Sequence, residues 1–308
     1  MDLQSKDSRQ SAGTGESIES RPASRGLVYW CEATSAGKIP PHVFAEFLTH
    51  PRFADACHAS QRFSVEHAGR DRVLARVTID TSRLVYGYLV LYLDALGSIT
   101  LKAIQDLCRD IGLASHGRAQ AILFHLRAIG YLKPDPDNTD RRSRHYLPSP
   151  EMTAALRESL TAELRALSLI EPDAGRAAER LVEPEFFRAF MRRWGEGIVY
   201  ALKYRRTRPI THFTDSNAGY VMLRDVLSTA GEGDTYPPRG PLKMAVRELA
   251  RKYNVSRTHI LRLFRGAETQ GLLTRNPDAQ TITLSDAFGL DIAEFEITVF
   301  LGMATCAQ

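Results

Sequence analysis

The chain contains one unit twice, and that repeat limits its possible folds more than any other feature. One copy opens with GYLVLYLDALG at Gly87, the other with GYVMLRDVLSTAG at Gly219. Each continues into a short helical pattern built round a leucine, IQDLCRDIGL or VRELARKYNV. A serine follows, Ser115 or Ser256, of the kind that caps a helix by accepting a hydrogen bond from its first turn. From that serine SHGRAQAILFHLRAIG and SRTHILRLFRGAETQG both run fifteen steps to a glycine, Gly130 or Gly271, where a helix C-cap belongs. Apolar pairs and turn-rich segments come next, YLKPDPDNTDRRSRHYL and LLTRNPDAQTITL, each reading as two short strands round a turn. Helix, helix-turn-helix and hairpin in that order predict a winged helix, and the order occurs twice.

The expected fold class is therefore mainly α (α+β): two tandem winged helix-turn-helix units joined by a helical linker. The units are placed at about 82–150 and 216–288, with the linker over 151–215. In the linker Met152, Leu156, Leu160, Leu164 and Leu167 recur at three- and four-residue steps, the helical period. Phe186, Phe187, Phe190, Met191, Trp194, Ile198 and Leu202 extend the pattern beyond Pro184, as core or a helix–helix interface. Residues 1–26 are polar and Ser/Gly-rich and read as a disordered tail, while 27–81 carry no motif and have no assigned role. Residues 289–308 read as a terminal amphipathic helix with Leu290, Ile297, Phe300 and Leu301 on its apolar face.

Composition excludes several classes. At 308 residues, 44% apolar and 25% charged, the chain is ordinary for a soluble globular protein with buried cores. A net charge of +4 permits a nucleic-acid partner without requiring one, because the placement of the cations decides. No apolar run reaches the roughly 18–20 residues of a membrane span, and the N-terminus lacks a signal-peptide apolar region. A cytoplasmic, nucleoid-associated protein with no membrane partner is expected. Cys31, Cys57, Cys108 and Cys306 are scattered without metal-ligand spacing, and the proximity of Cys57-His58 to His50 and His67 reads as incidental. No phosphate loop, nucleophile elbow, metal-binding helix motif or convincing carboxylate pair is found, so no catalytic residue, metal or cofactor is assigned and an enzyme is not expected. His42, His125 and His212 read as surface or satisfied core groups. The basic run KYRRTR, Lys203 to Arg208, could add phosphate contacts or solvate a helix end, with the second favoured.

In a helix-turn-helix the second helix enters the DNA major groove with its N-terminal residues reaching base edges. In the second unit Ile260, Leu263, Phe264 and Ala267 have the spacing of a buried face, which leaves Arg257, Thr258, His259 and Arg262 outward beside the capping Ser256. In the first unit Ala119, Ile122, Leu123 and Leu126 bury, and His116, Gly117, Arg118 and Gln120 face out beside Ser115. Gly117 costs about 1 kcal/mol in a helix interior but permits close backbone approach. The cluster in DPDNTDRRSRHYL then falls at the tip of the first wing. Asp137-Asn138 supply the turn, Asp140 can hold an arginine, and Arg141, Arg142 and Arg144 can neutralise phosphates or enter a narrow groove. The second wing, RNPDAQT, is nearly uncharged beyond Arg275.

LASHGRAQAILFHLRAIGYLKPDPDNTDRRSRHYLPSPE resembles the recognition helix and wing of MarR-family transcription regulators. The matching features are the capping serine, a helix ending in Leu-x-x-x-Gly, and an Asp-Arg-Arg wing followed by a strand and a new helix. The resemblance makes Asp140 and Arg141 the family's characteristic wing pair. ELARKYNVSRTHILRLFRGAETQGLL is more similar to GntR-type winged helices, in which Val-Ser-Arg-Thr opens the recognition helix. Together these cover about 140 of the 308 residues. The first unit departs by one extra residue in its turn, Leu107 to Ser115 against Leu249 to Ser256. The family normally carries one winged helix per chain and works as a dimer, so two here imply a single-chain pseudo-dimer, with a homodimer as the alternative. The resemblance also implies a small-molecule effector held between helices, with Tyr88, Tyr92 and Trp194 as candidate surroundings.

The expected function is sequence-specific double-stranded-DNA binding by a transcription regulator with two winged helices in one chain. Two alternatives stay open. One is a plasmid-type replication initiator on repeated sites, and the other a winged-helix protein-interaction module that does not bind DNA.

Overall fold

A computed structural model of the protein describes residues 39–70, 81–139, 142–203, 207–231 and 235–308. It is mainly helical, with small antiparallel sheets. Two helices, α1 (Pro41–Thr49) and α2 (Phe53–Arg70), precede the first repeat. That repeat consists of α3 (Thr81–Ala95), α4 (Leu101–Asp110), α5 (His116–Ala128) and the strands β1 (Leu132–Pro134) and β2 (Tyr146–Pro148). Three helices follow: α6 (Pro150–Leu167), α7 (Pro172–Arg180) and α8 (Pro184–Lys203), each beginning on a proline that cannot donate where no helical partner exists. After the one-turn α9 (Thr211–Thr214) the second repeat comprises α10 (Gly219–Leu227), β3 (Leu242–Lys243), α11 (Val246–Lys252), α12 (Arg257–Thr269), β4 (Leu273–Asn276) and β5 (Thr281–Leu284). Helix α13 (Asp286–Cys306) ends the series.

The two repeats share one strand topology. In the second the order is β3-β5-β4, all antiparallel, with Leu242 opposite Ile282 and Leu273 opposite Leu284. In the first, β1 and β2 pair with Leu132 opposite Pro148, and a single bridge from Thr100 to His145 stands where β3 stands in the other. The expected hairpins are present, and each repeat adds this third edge to its hairpin. Serine caps act where the sequence places them: Ser115 Oγ accepts from Arg118 N at 3.3 Å and Ser256 Oγ from His259 N at 3.1 Å. Both closing glycines are left-handed, Gly130 at φ 80° and Gly271 at φ 69°, a conformation that a side chain resists.

One continuous apolar core runs from α1 to α13 and takes in both repeats. The leading helix of each repeat is the buried one. In α3, Tyr86 through Leu91 lie inside, and in α10 so do Val221, Met222, Leu223, Val226 and Leu227. Helix α3 crosses α8 at Gly195, where a Cβ would fall inside the Tyr92 ring. Helix α10 packs on α2, and α2 in turn on α6. The terminal helix differs from its expected form. It begins at Asp286, directly after the Ser285 cap, and is buried on most sides rather than amphipathic; Ile297, Phe300 and Leu301 are internal, whereas Leu290 is 45% exposed.

The core also encloses ionic groups. Arg224 on α10 reaches Glu163 of α6 at 3.3 Å, Glu296 of α13 at 3.7 Å and Ser64 of α2 at 2.8 Å, and it also contacts Ser60. Ser60 in turn bonds Glu163, and Tyr220 OH lies 3.1 Å from Glu296. Burial works against the Arg224 charge, but Glu296, Tyr220 and Glu163 outweigh it and hold the guanidinium protonated. Burial raises the Glu296 carboxyl above its ordinary range, with Arg224 opposing. Four helices therefore meet on one cation.

Candidate nucleic-acid interface

Helices α5 and α12 each bury one face and leave the N-terminal turn exposed. On α5, Ala119, Leu123 and Leu126 are buried and Ile122 is half-buried; Tyr86 OH donates to the Ala119 carbonyl at 2.9 Å, fixing the helix on α3. Ser115, His116, Gly117 and Arg118 are exposed, and Gln120 is half-buried. His116 is tied to the preceding helix. Its carbonyl accepts from Gln105 at 3.3 Å and its ring lies 3.4 Å from Arg109. Nothing lies within 4 Å of where a Gly117 Cβ would stand. The cations of α4 are engaged with carboxylates, Lys102 with Asp106 at 2.6 Å and Arg109 with Asp106 and Asp110 at 3.1 and 3.2 Å. Arg118 has no such carboxylate among the described residues.

On α12 the expected inner face is fully internal: Ile260, Leu263, Phe264 and Ala267 are buried. Ser256, Arg257, Thr258 and Arg262 are exposed. His259 departs from the expected outward position. It is half-buried, and its Nε2 donates to the Asn217 carbonyl at 2.9 Å, so its ring docks the helix on the body. A second histidine, His212, expected as a surface or satisfied core group, does similar work. His212 Nε2 donates to the Leu263 carbonyl at 2.8 Å, Gln270 Nε2 lies 3.1 Å from Nδ1, and Gly266 gives the ring room. Because the Leu263 carbonyl can only accept, His212 Nε2 is the donor of that bond.

The hairpin tips differ as their composition suggests. In the first, Asp137 N donates to Asp135 Oδ1 at 3.0 Å and Asn138 Nδ2 to the Ser143 carbonyl at 2.7 Å, so Asp135 and Asn138 shape the turn. Arg142 and Arg144 are exposed on it; Asp140 and Arg141 lie outside the described residues. In the second, Arg275 is withdrawn into an ion pair with Glu268, through Nε at 2.8 Å and Nη2 at 2.7 Å. Hydrogen bonds from the Arg275 side chain and backbone lower the Glu268 pKa. Further exposed cations that sequence spacing does not single out include Arg83, Lys133, Lys243, Arg247, Arg251 and Arg265, all within the two repeats. The run at Lys203–Arg208 behaves differently from either expectation at its described end. Arg208 is half-buried and binds Asp291 at 2.9 Å and Glu294 at 3.1 Å on α13, a structural tie.

Tyr88 and Trp194 join α3 to α8. Their rings meet edge to face at 6.2 Å, Tyr88 OH lies 3.1 Å from Ser159 Oγ, and Tyr92 fills the crossing at Gly195. Cys57 is fully buried and burial pushes its thiol up, so it is held as the neutral form. No three His, Cys, Asp or Glu side chains among the described residues converge as a metal site would require. None of the described helices is long and apolar enough to cross a membrane. Comparison of the chain with protein-family models, with curated proteins and with solved structures finds no match.

Proposed function

We propose that the protein is a sequence-specific double-stranded-DNA-binding transcription regulator built on tandem winged helices. Helices α5 and α12 are its recognition helices, and the β1–β2 hairpin is a wing of the type its sequence shares with MarR-like regulators. One observation carries the reading. Two copies of the same order, a leading helix, a helix pair and a hairpin, each hold a serine-capped helix whose buried face is anchored and whose first turn is open to solvent. Arg118 on one, and Arg257 and Arg262 on the other, then meet base edges or phosphates, arginine being the residue that best matches guanine O6 and N7. Arg142 and Arg144 on the first wing supply backbone contacts. His259, committed to Asn217, acts as a positioning residue for α12.

Selection of sites from random duplex DNA by the purified chain tests this directly. A two-part motif is expected, with one part relaxed by Arg257→Ala and overall binding weakened by Arg142→Ala/Arg144→Ala. A pool that gains no sequence, with binding indifferent to all three substitutions, would refute it in favour of a protein-interaction module. Enrichment only of iterated repeats would instead favour a replication initiator.

A further inference from the structure

Phe124 lies on the exposed side of α5 with 47% of its surface open to solvent, off the buried face formed by Ala119, Leu123 and Leu126. Ala121 and Ala128 are exposed one turn to either side, so an apolar ridge runs along the outer face of the helix. Shallow clefts flank it. One, of about 260 Å³, carries Arg83, Arg118 and His125; the other, of about 440 Å³, carries Arg127 and Lys133. No carboxylate is among the described residues lining either.

An apolar ridge between two cation-bearing tracks complements a major groove whose floor carries methyl groups and whose walls are phosphate. Thymine C5 methyls are the apolar groups of that floor, and alanine and phenylalanine are suited to meet them. The second repeat supplies the contrast. Counting from the capping serines, Ala121 corresponds to Arg262 and Phe124 to Arg265, both exposed. The same outer positions are therefore apolar on one helix and arginine on the other.

We infer that the apolar ridge Ala121–Phe124–Ala128, between its two cation-lined clefts, reads thymine methyls in one half of the DNA site, while Arg262 and Arg265 read guanines in the other. This rests on the DNA-binding reading above and adds the base class to it. The helical rise from Gly117 to Ala128 spans about 16 Å, room for roughly five base pairs.

The test changes the DNA rather than the fold. With the full chain and its selected duplex, thymines in the half-site weakened by Arg118→Ala are replaced by deoxyuridine, which removes only the methyl. Binding should fall about three- to fourfold for each methyl removed from the interface, from the burial of one such group. The same replacement in the other half should leave affinity unchanged. In Phe124→Gln, a change at an exposed position, the response to deoxyuridine should shrink toward none. Unchanged affinity on deoxyuridine replacement, or an equal fall in Phe124→Gln, overturns the inference while leaving the DNA-binding reading intact. Disappearance of a self-associated form in Phe124→Gln, seen by sedimentation without any deoxyuridine effect, overturns it too and assigns the ridge to a second copy. Absence of any selected site removes both readings together.

Discussion

Arg224 and Glu163, 61 residues apart in the chain, meet at 3.3 Å in the interior, and the pair ties the leading helix of the second repeat to α6. A buried cation between two carboxylates is costly to assemble and costlier to break on one side. Arg224→Met leaves Glu163 and Glu296 without their counter-charge, and a destabilisation of about 3–5 kcal/mol is expected. Urea unfolding measures it. A change within experimental scatter would mean that the two carboxyls accept the cavity as neutral acids.

The same cluster gives stability a pH dependence of defined sign. Burial raises the Glu296 pKa above its ordinary 4.5, so the folded state holds that proton more tightly than the unfolded chain. The resulting contribution is complete below the unfolded value and is lost as pH rises through the folded one. Glu296→Gln cannot titrate. Relative to it, the natural protein should lose ground from mildly acidic toward neutral pH, as read from urea midpoints. Parallel curves for the two proteins would show the carboxyl titrating as it does in water.

Two glycines should respond in opposite directions to the same added methyl. Gly195→Ala drives a Cβ into the Tyr92 ring where α3 crosses α8, and overpacking of this kind costs about 1–3 kcal/mol. Gly117→Ala meets open space on α5 and should raise stability by up to about 1 kcal/mol. If Gly117 also gives the backbone close access to DNA, the stabilised variant binds more weakly. Thermal unfolding beside a binding titration separates these effects.

If the chain binds DNA as proposed, its two hairpins should differ in their response to salt. Arg275 is already paired with Glu268, so Arg275→Ala should leave the salt dependence of DNA binding unchanged. Arg142→Ala/Arg144→Ala should reduce the slope of log affinity against log salt by about 0.9 for each phosphate no longer neutralised. Anisotropy titrations at several salt concentrations decide the matter, and equal slopes for all the proteins would remove the first wing from the interface.

Local signals make much of this architecture legible. The capping serines, the left-handed glycines and the buried faces of α5 and α12 depend on residues within a few turns, and they stand where the sequence pattern puts them. Features that depend on distant partners leave no such mark. Arg224 in GYVMLRDVL has the look of a charge on a solvated helix face, and only α2, α6 and α13 together make it internal. His259 reads as an outward group because its acceptor, the Asn217 carbonyl, lies 42 residues back. The third edge of each sheet is two residues in one repeat and a single bridge in the other, too short to leave a periodicity.

On the proposed DNA-binding reading, the shared core has a consequence for the target site. Symmetric dimers on flexible joints can slide their reading heads apart to suit a variable spacer. Here α3 and α10 rest on neighbouring helices of one continuous interior, so the distance and the angle between the heads are set when the chain folds. One base pair inserted between the half-sites would carry the second about 3.4 Å further and turn it by about 35° round the duplex axis. Such a protein would act as a gauge of fixed length, and spacing would be as much a part of its target as the bases themselves.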